Sequence, residues 1–269
     1  MQASPSPIGK LLRHWRKQRG MSQLDLSLEA EVSTRHLSFV ETGRSSPSRE
    51  MVLILGSVLD VPLRERNALL HAAGYTSEYR ESSFDEPSME PIRRLLGFIL
   101  ERHEPYPVVV VDPWWNPKLA NRAQLRLTAW LMGDAATPHA TPPNLMASVF
   151  DPDGLRPLIV NLETLGPCLL NRLHRDAVTD VRSRELLEEC LAFPGIPDAW
   201  RRPVLHPPSL LVPMELLKDG VLLKLYSTIT TLGTPQDVTV QEVRIETFFP
   251  ADESTDAFLR KLAEGSPRS

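Results

Sequence analysis

The sequence predicts two folds in one chain: an all-α unit of five short helices, then an α+β domain built on an antiparallel sheet. Three observations predict this. Residues 1–76 carry short apolar stripes of helical period, punctuated by Ser, Pro and Gly. The polar, acidic stretch "TSEYRESSFDEPSMEP" breaks that pattern and marks a linker over 77–90. From 91 to 269, helical segments are followed by β-branched, alternating runs gathered toward the C-terminal end.

Each helix of the first segment has its own boundaries. Ile8, Leu11, Leu12 and Trp15 form one stripe, and Gly20 ends it. Ser22 opens "SQLDLSLEA", with Asp25 three residues on in the capping-box position. Ser33 opens "STRHLSFVETGR" and Gly43 closes it. Ser48 caps "PSREMVLILGSVLD", and Pro62 starts "PLRERNALLHAA", which Gly74 stops.

The second and third helices are separated by little more than Glu31 and Val32, which forces a sharp angle between them. In a helix-turn-helix, the first helix crosses the DNA backbone and the second enters the major groove. On the third helix Leu37 and Val40 face inward, leaving Thr34, Arg35, Ser38 and Phe39 outward. Arginine can grip guanine bidentately, and Thr or Phe can touch a thymine methyl. Gln23 and Arg44 are placed for phosphates, with Ser33 at the helix start. Spacing alone would also suit a five-helix bundle whose polar face is merely solvated.

Charge removes one objection to a polyanionic partner. The net charge is −4, yet residues 1–80 hold 11 Lys and Arg against 8 Asp and Glu, so the acidity lies in the remainder. With 42% hydrophobic and 24% charged residues, the composition is that of a globular chain. No apolar run reaches the roughly 18 residues of a membrane span. The N-terminus has no apolar signal core, so a cytoplasmic protein is expected. The two cysteines, Cys168 and Cys190, fit no CxxC spacing and are expected to be buried and reduced.

After the linker, "IRRLLGFILERH" forms an amphipathic helix with Ile92, Leu95, Leu96 and Ile99 on one stripe. "YPVVVVDPWWNPKLAN" gives two short strands about a turn, and "RAQLRLTAWLMG" returns to helix. The middle of the domain is helical, through "LETLGPCLLNRLHRDAV" and "SRELLEECLAF". "PSLLVPMELL", "VLLKLYSTITTL" and "DVTVQEVRIETFF" follow as strands, with turns at Lys218-Asp219-Gly220 and Gly233-Thr234-Pro235. "DAFLRKLAE" closes as a helix.

Two resemblances sharpen these expectations. "MSQLDLSLEAEVSTRHLSFVETGRSSPSREMVLILGSVLDVP" resembles the xenobiotic-response-element (Cro/repressor-like) helix-turn-helix family: it has that family's Ser-Gln opening, its Val-Ser before the reading helix and its Glu-x-Gly ending. This implies double-stranded DNA as partner and a buried ion pair between Arg16 and Glu41. The family usually has Gly in the turn where this chain has Glu31, and a non-Gly residue in left-handed conformation costs about 1 kcal/mol. The order of "RHLSFVETGRSSPSREM", "VPLRERNALLHAAGY", "VVVVDPWWNPKLAN" and "VTVQEVRIETFFPAD" resembles MmyB-type transcription regulators with a PAS-like ligand-binding domain. "LHPPSLLVPMELL" departs from the His-Pro-x-Val-Gly pattern of that family, so no role passes to His206.

The second resemblance implies a sensor with an apolar cavity. Val108, Val110, Leu222 and Leu225 are candidate lining on strands, beside Trp114 and Trp130. A fatty acid or other amphipathic small molecule would suit it, with Asn121, Arg172 or His174 on the head group. The expected protein is a homodimeric regulator whose DNA binding answers a small apolar effector. The alternative is a constitutive DNA-binding regulator whose second domain serves only dimerisation or protein interaction. No GxSxG, P-loop, HExxH or glycine-rich phosphate loop is present, so neither catalytic residues nor a catalytic cofactor are expected. His103, His139, His174 and His206 lack ligand spacing, so no metal is expected.

Overall fold

Local punctuation sets the helices of the N-terminal part. The computed structural model describes residues 6–133, 143–178, 180–204 and 211–264; His139 and His206 fall outside them. The chain divides into two compact units, residues up to Ser88 together with Leu232–Gln241, and the rest.

Unit 1 contains α1 (Pro7–Gln18), α2 (Gln23–Glu29), α3 (Thr34–Thr42), α4 (Arg49–Val58) and α5 (Leu63–Ala72). Ser6, Ser22, Ser33 and Ser48 each cap a helix through the side-chain oxygen, and Ser22 with Asp25 completes a capping box. Gly43 leaves α3 in the left-handed region at φ 77°. Leu12, Leu26, Leu37, Val40, Leu55, Leu69 and Leu70 are fully buried in one core. At Gly9 a Cβ would lie 2.6 Å from the Val40 carbonyl oxygen, so α1 and α3 approach at a spacing that only glycine permits.

The stretch after α5 is pinned within this unit. The Asn67 amide donates to Tyr79 O (2.7 Å) and accepts from the Glu78 and Tyr79 amides. Residues 232–241 join from far along the chain. Val238 N–H donates to Arg80 O, Ser82 N–H donates to Asp237, and Thr239 donates to Ser82 O. Pro62 has no side chain with which to cap α5, and the Gln241 side-chain oxygen accepts the Leu63 N–H at 2.6 Å instead.

Unit 2 runs α6 (Glu90–Arg102), β1 (Val108–Val111), β2 (Pro117–Ala120), α7 (Arg122–Met132), α8 (Leu145–Phe150), α9 (Leu162–Asp176), α10 (Val181–Ala192), β3 (Met214–Lys218) and β4 (Val221–Thr230). A short α11 (Val238–Glu242) precedes β5 (Arg244–Pro250) and α12 (Glu253–Glu264). The sheet order is β2-β1-β5-β4-β3 and its strand pairs are antiparallel. This is the α+β architecture expected, with helices packed on the sheet around Phe150, Leu170, Leu173 and Leu223. Asp219 and Gly220, at φ 50° and 77°, make the β3–β4 turn.

Three local expectations are corrected. "DVTVQE" is not strand: Asp237 accepts the Thr239 and Val240 amides and starts a helical turn, overriding the alternating valines. Accordingly β4 and β5 are joined by the long excursion into unit 1, not by a tight turn at Gly233. On α6 the buried positions are Leu96 and Leu100, while Leu95 is 45% exposed.

Candidate functional site

The reading face of unit 1 depends on how α2 and α3 are held. Glu31 takes φ 54° in the turn between them, and the Ser27 and Thr34 hydroxyls meet at 2.6 Å across it. Because Glu31 is exposed, its replacement by Gly removes left-handed strain without removing packing. Glu31→Gly is therefore expected to raise the unfolding free energy of unit 1 by up to about 1 kcal/mol, read as a higher urea midpoint.

Leu37 and Val40 anchor α3 to the core, so its opposite side is free of the unit 1 interior. Thr34, Arg35 and Arg44 are exposed, and Ser38 and Phe39 half-buried. The Arg35 and Arg44 guanidinium groups stand 5.4 and 5.9 Å from the centre of the Phe39 ring. Thr34, Arg35, Ser38, Phe39 and Arg44 are thus gathered at one helix. Ser33 spends its hydroxyl as the α3 cap, and the Gln23 amide donates to Glu41 at 2.7 Å.

Glu41 is the hub beneath that face. Its carboxylate is fully buried, takes 2.7 and 2.9 Å bonds from Arg16, and lies 3.4 Å from Arg13. Arg16 also donates to Met21 O at 2.9 Å. One carboxylate therefore ties α1, α2 and α3. Burial alone would raise the Glu41 pKa, but bonds from Arg16 and Gln23 and the Arg16 charge hold it below the ordinary 4.5. Sequence reasoning missed Arg13 and the Gln23 partner; the signal available was the spacing of Arg13 and Arg16 on one side of α1.

Unit 2 has a half-open cavity between sheet and helices, with about 70 Å³ of free volume. Leu127, Leu131, Val149, Leu216, Leu225 and Phe248 make it apolar, and Met146 and Met214 lend adjustable walls. That volume is well below the roughly 300 Å³ at which ligand pockets usually begin, so a long chain would have to displace lining. Its polar groups are Trp115, Gln124, Arg172 and Glu246. Of the expected ligand partners, Arg172 lines this cavity. Trp114 donates instead to Asp180 (2.8 Å), Trp130 packs on Phe258 at 4.7 Å, and His174 bonds Trp200 O. Asn121 spends its amide on the backbone: it accepts from Val108 and Gln124 and donates to Tyr106 O. On β1 the residues in the core are Val109 and Val111, so Val108 and Val110 take the opposite face.

Burial pushes the Arg172 guanidinium below its ordinary value, with Glu246 opposing the shift. Burial likewise raises Glu246, against the charge of Arg172, a bond from Ser227 and the charge of Arg244. The Cys190 thiol is pushed up to about 12 by burial, too high to supply a thiolate. Cys168 is only partly buried and hydrogen-bonds Thr164 O. Among the described residues, no cluster of His, Cys, Asp or Glu could hold a metal ion. No described helix is long and apolar enough to cross a membrane.

Comparison with known proteins accords with both parts. Residues 12–66 match a helix-turn-helix profile. Residues 92–262 match the profile of the MmyB-like transcription regulator ligand binding domain. Neither profile describes a catalytic family. No curated protein matches the chain. Among solved structures, an RNA-binding light-oxygen-voltage receptor is similar at 13% identity and a TM-score of 0.27, over 96% of this chain and 64% of that one. With a helix-turn-helix for DNA and a ligand-binding domain behind it, the chain belongs to the MmyB-like transcription regulators.

Proposed function

We propose that the protein binds a specific operator as a homodimer, and that a small apolar effector in the unit 2 cavity changes its affinity for that operator. A fatty acid or another amphipathic molecule is the effector class that suits an apolar lining with a few polar groups. Thr34, Arg35, Ser38 and Phe39 contact bases in this reading, and Arg44 contacts phosphate.

The path of the chain around β5 carries the effector-responsive reading. Residues 232–241 belong to unit 1, where Gln241 caps α5. Only Glu242 and Val243 separate Gln241 from Arg244, the first residue of β5. Glu246 and Phe248 of the same strand line the cavity. A ligand that displaces β5 therefore has a short covalent route to the DNA-binding unit. It alters DNA affinity only if it binds the alternative arrangements unequally, with couplings of about 1–3 kcal/mol in typical cases.

The test is operator affinity, by fluorescence anisotropy on a selected sequence, with and without a fatty acid series. A change of about fivefold or more is expected, and operator DNA must shift effector affinity by the same factor. Gln241→Ala combined with Asp237→Ala should shrink the effector response while leaving effector-free affinity near that of the parent. Effector binding that leaves DNA affinity unmoved would favour the constitutive regulator.

A further inference from the structure

Polar groups in the lining of the unit 2 cavity are unmatched. Trp115 Nε1, Arg172 Nη1 and Gln124 Oε1 are buried and have no hydrogen-bond partner within the protein. Buried polar groups are almost always paired, so three unpaired ones lining one small, otherwise apolar space call for a reason. Glu246 joins them from β5, 6% exposed, with one bond from Ser227.

Backbone strain points the same way. Trp115 is 1% exposed and sits at φ 67°, a conformation bulky residues rarely adopt. The turn around Asp112 imposes it. Asp112 accepts the Trp114 and Asn116 amides on its side chain and the Trp115 amide on its carbonyl oxygen. Strain of this kind persists where the surroundings over-determine it, and here it puts Trp115 in the cavity lining while the neighbouring Trp114 turns to Asp180.

Donors and acceptors in this lining are mixed. Arg172 and Trp115 donate; Gln124 and Glu246 accept. Arg172, Arg244 and Arg175 stand against Glu246 and Asp176, the last of which is 2.9 Å from Arg244. A fatty carboxylate would bring acceptors only, and would leave Gln124 Oε1 without a donor. A hydrocarbon would leave Trp115 Nε1, Arg172 Nη1 and Gln124 Oε1 unpaired.

We propose that the effector carries a head with a carbonyl and a hydroxyl group close together, as in a hydroxy ester or hydroxy ketone. The carbonyl oxygen accepts from Arg172 and Trp115, and the hydroxyl donates to Glu246 or Gln124. This rests on the reading that the cavity is the effector site, and it narrows that site to one chemical class.

The experiment is calorimetric titration of the full chain with four probes of one chain length: decanoate, decanol, the matching methyl ketone and the methyl ester of β-hydroxydecanoate. The hydroxy ester should bind at least about tenfold tighter than any other, the worth of one added hydrogen bond. Glu246→Leu with Gln124→Leu should erase that preference while retaining affinity for the ketone, and Glu246→Gln should keep it. Thermal melting of each variant confirms that it is folded. Decanoate binding as tightly as the hydroxy ester overturns the head-group assignment and leaves the effector site standing. Failure of all four probes to bind overturns the effector site itself.

Discussion

Replacing Glu41 with alanine is expected to cost unit 1 about 3–5 kcal/mol, the range for removing one partner of a buried ion pair. Small domains hold only about 5–15 kcal/mol in total, so much of the molecule's DNA-binding unit would open. The loss arises mainly from what stays behind. Arg16 is 11% exposed at its side chain and would keep its charge with Met21 O as its remaining partner, while the Gln23 amide would lose its acceptor. Hydrogen exchange by mass spectrometry is the direct measurement: peptides from α1, α2 and α3 should lose protection while those from the sheet of unit 2 keep theirs. Arg16→Met with Glu41→Leu tests the cause, because replacing both partners by apolar groups should recover most of the stability. If the double variant is as unstable as Glu41→Ala, loss of packing rather than an uncompensated charge is responsible.

The same carboxylate fixes the sign of the acid response. Glu41 has a folded pKa below its ordinary 4.5, so its contribution is complete above that value and declines as pH falls through the lowered one. Glu246 acts oppositely, because burial raises its folded pKa. Its contribution is complete below 4.5 and falls as pH rises toward that raised value. Acid well below pH 4.5 should therefore cost unit 1 the Glu41 contribution while unit 2 keeps that of Glu246.

Much of unit 1 was legible because its signals are local. Ser22 with Asp25, Ser33 with Gly43 and Ser48 each act within a helical turn of where the sequence puts them. The turn at Asp219-Gly220 is of the same kind. What stayed hidden depends on distant partners. Asp237 and Gln241 bond to Ser82 and Leu63, and the latter pair is 178 residues apart. No periodicity in "DVTVQEV" announces such a partner, and its alternating valines point to the wrong element.

The cavity shows a different limit. Trp114 and Trp115 are adjacent indoles with equal claims by composition, and Trp115, with its left-handed backbone, is the one that lines the cavity. Asn121 had the chemistry of a head-group partner, but the same chemistry makes it an N-cap, and the first turn of α7 takes it. Arg172 was legible as a long cation on a helix. Its counterpart Glu246 was not, since one acid in a strand pattern says nothing of the charges packed opposite it.

At the DNA face, Arg35→Ala is expected to weaken binding to the selected operator by about 1–3 kcal/mol, or about 5–150-fold, and to relax preference at one base position. Arg35 suits that role better than its neighbours. It is exposed, has no ion-pair partner among the described residues, and stacks beside Phe39, which limits the directions its fork can take. Arg35→Lys should rescue little, because an ammonium cannot reproduce a bidentate pair with guanine. Gln23→Ala should instead lower affinity for every sequence alike, partly through the Glu41 bond it abolishes. Selection of binding sites from a random library separates the two. An Arg35 variant with undiminished selectivity would move base recognition to Thr34, Ser38 or Phe39 and leave Arg35 to the phosphates.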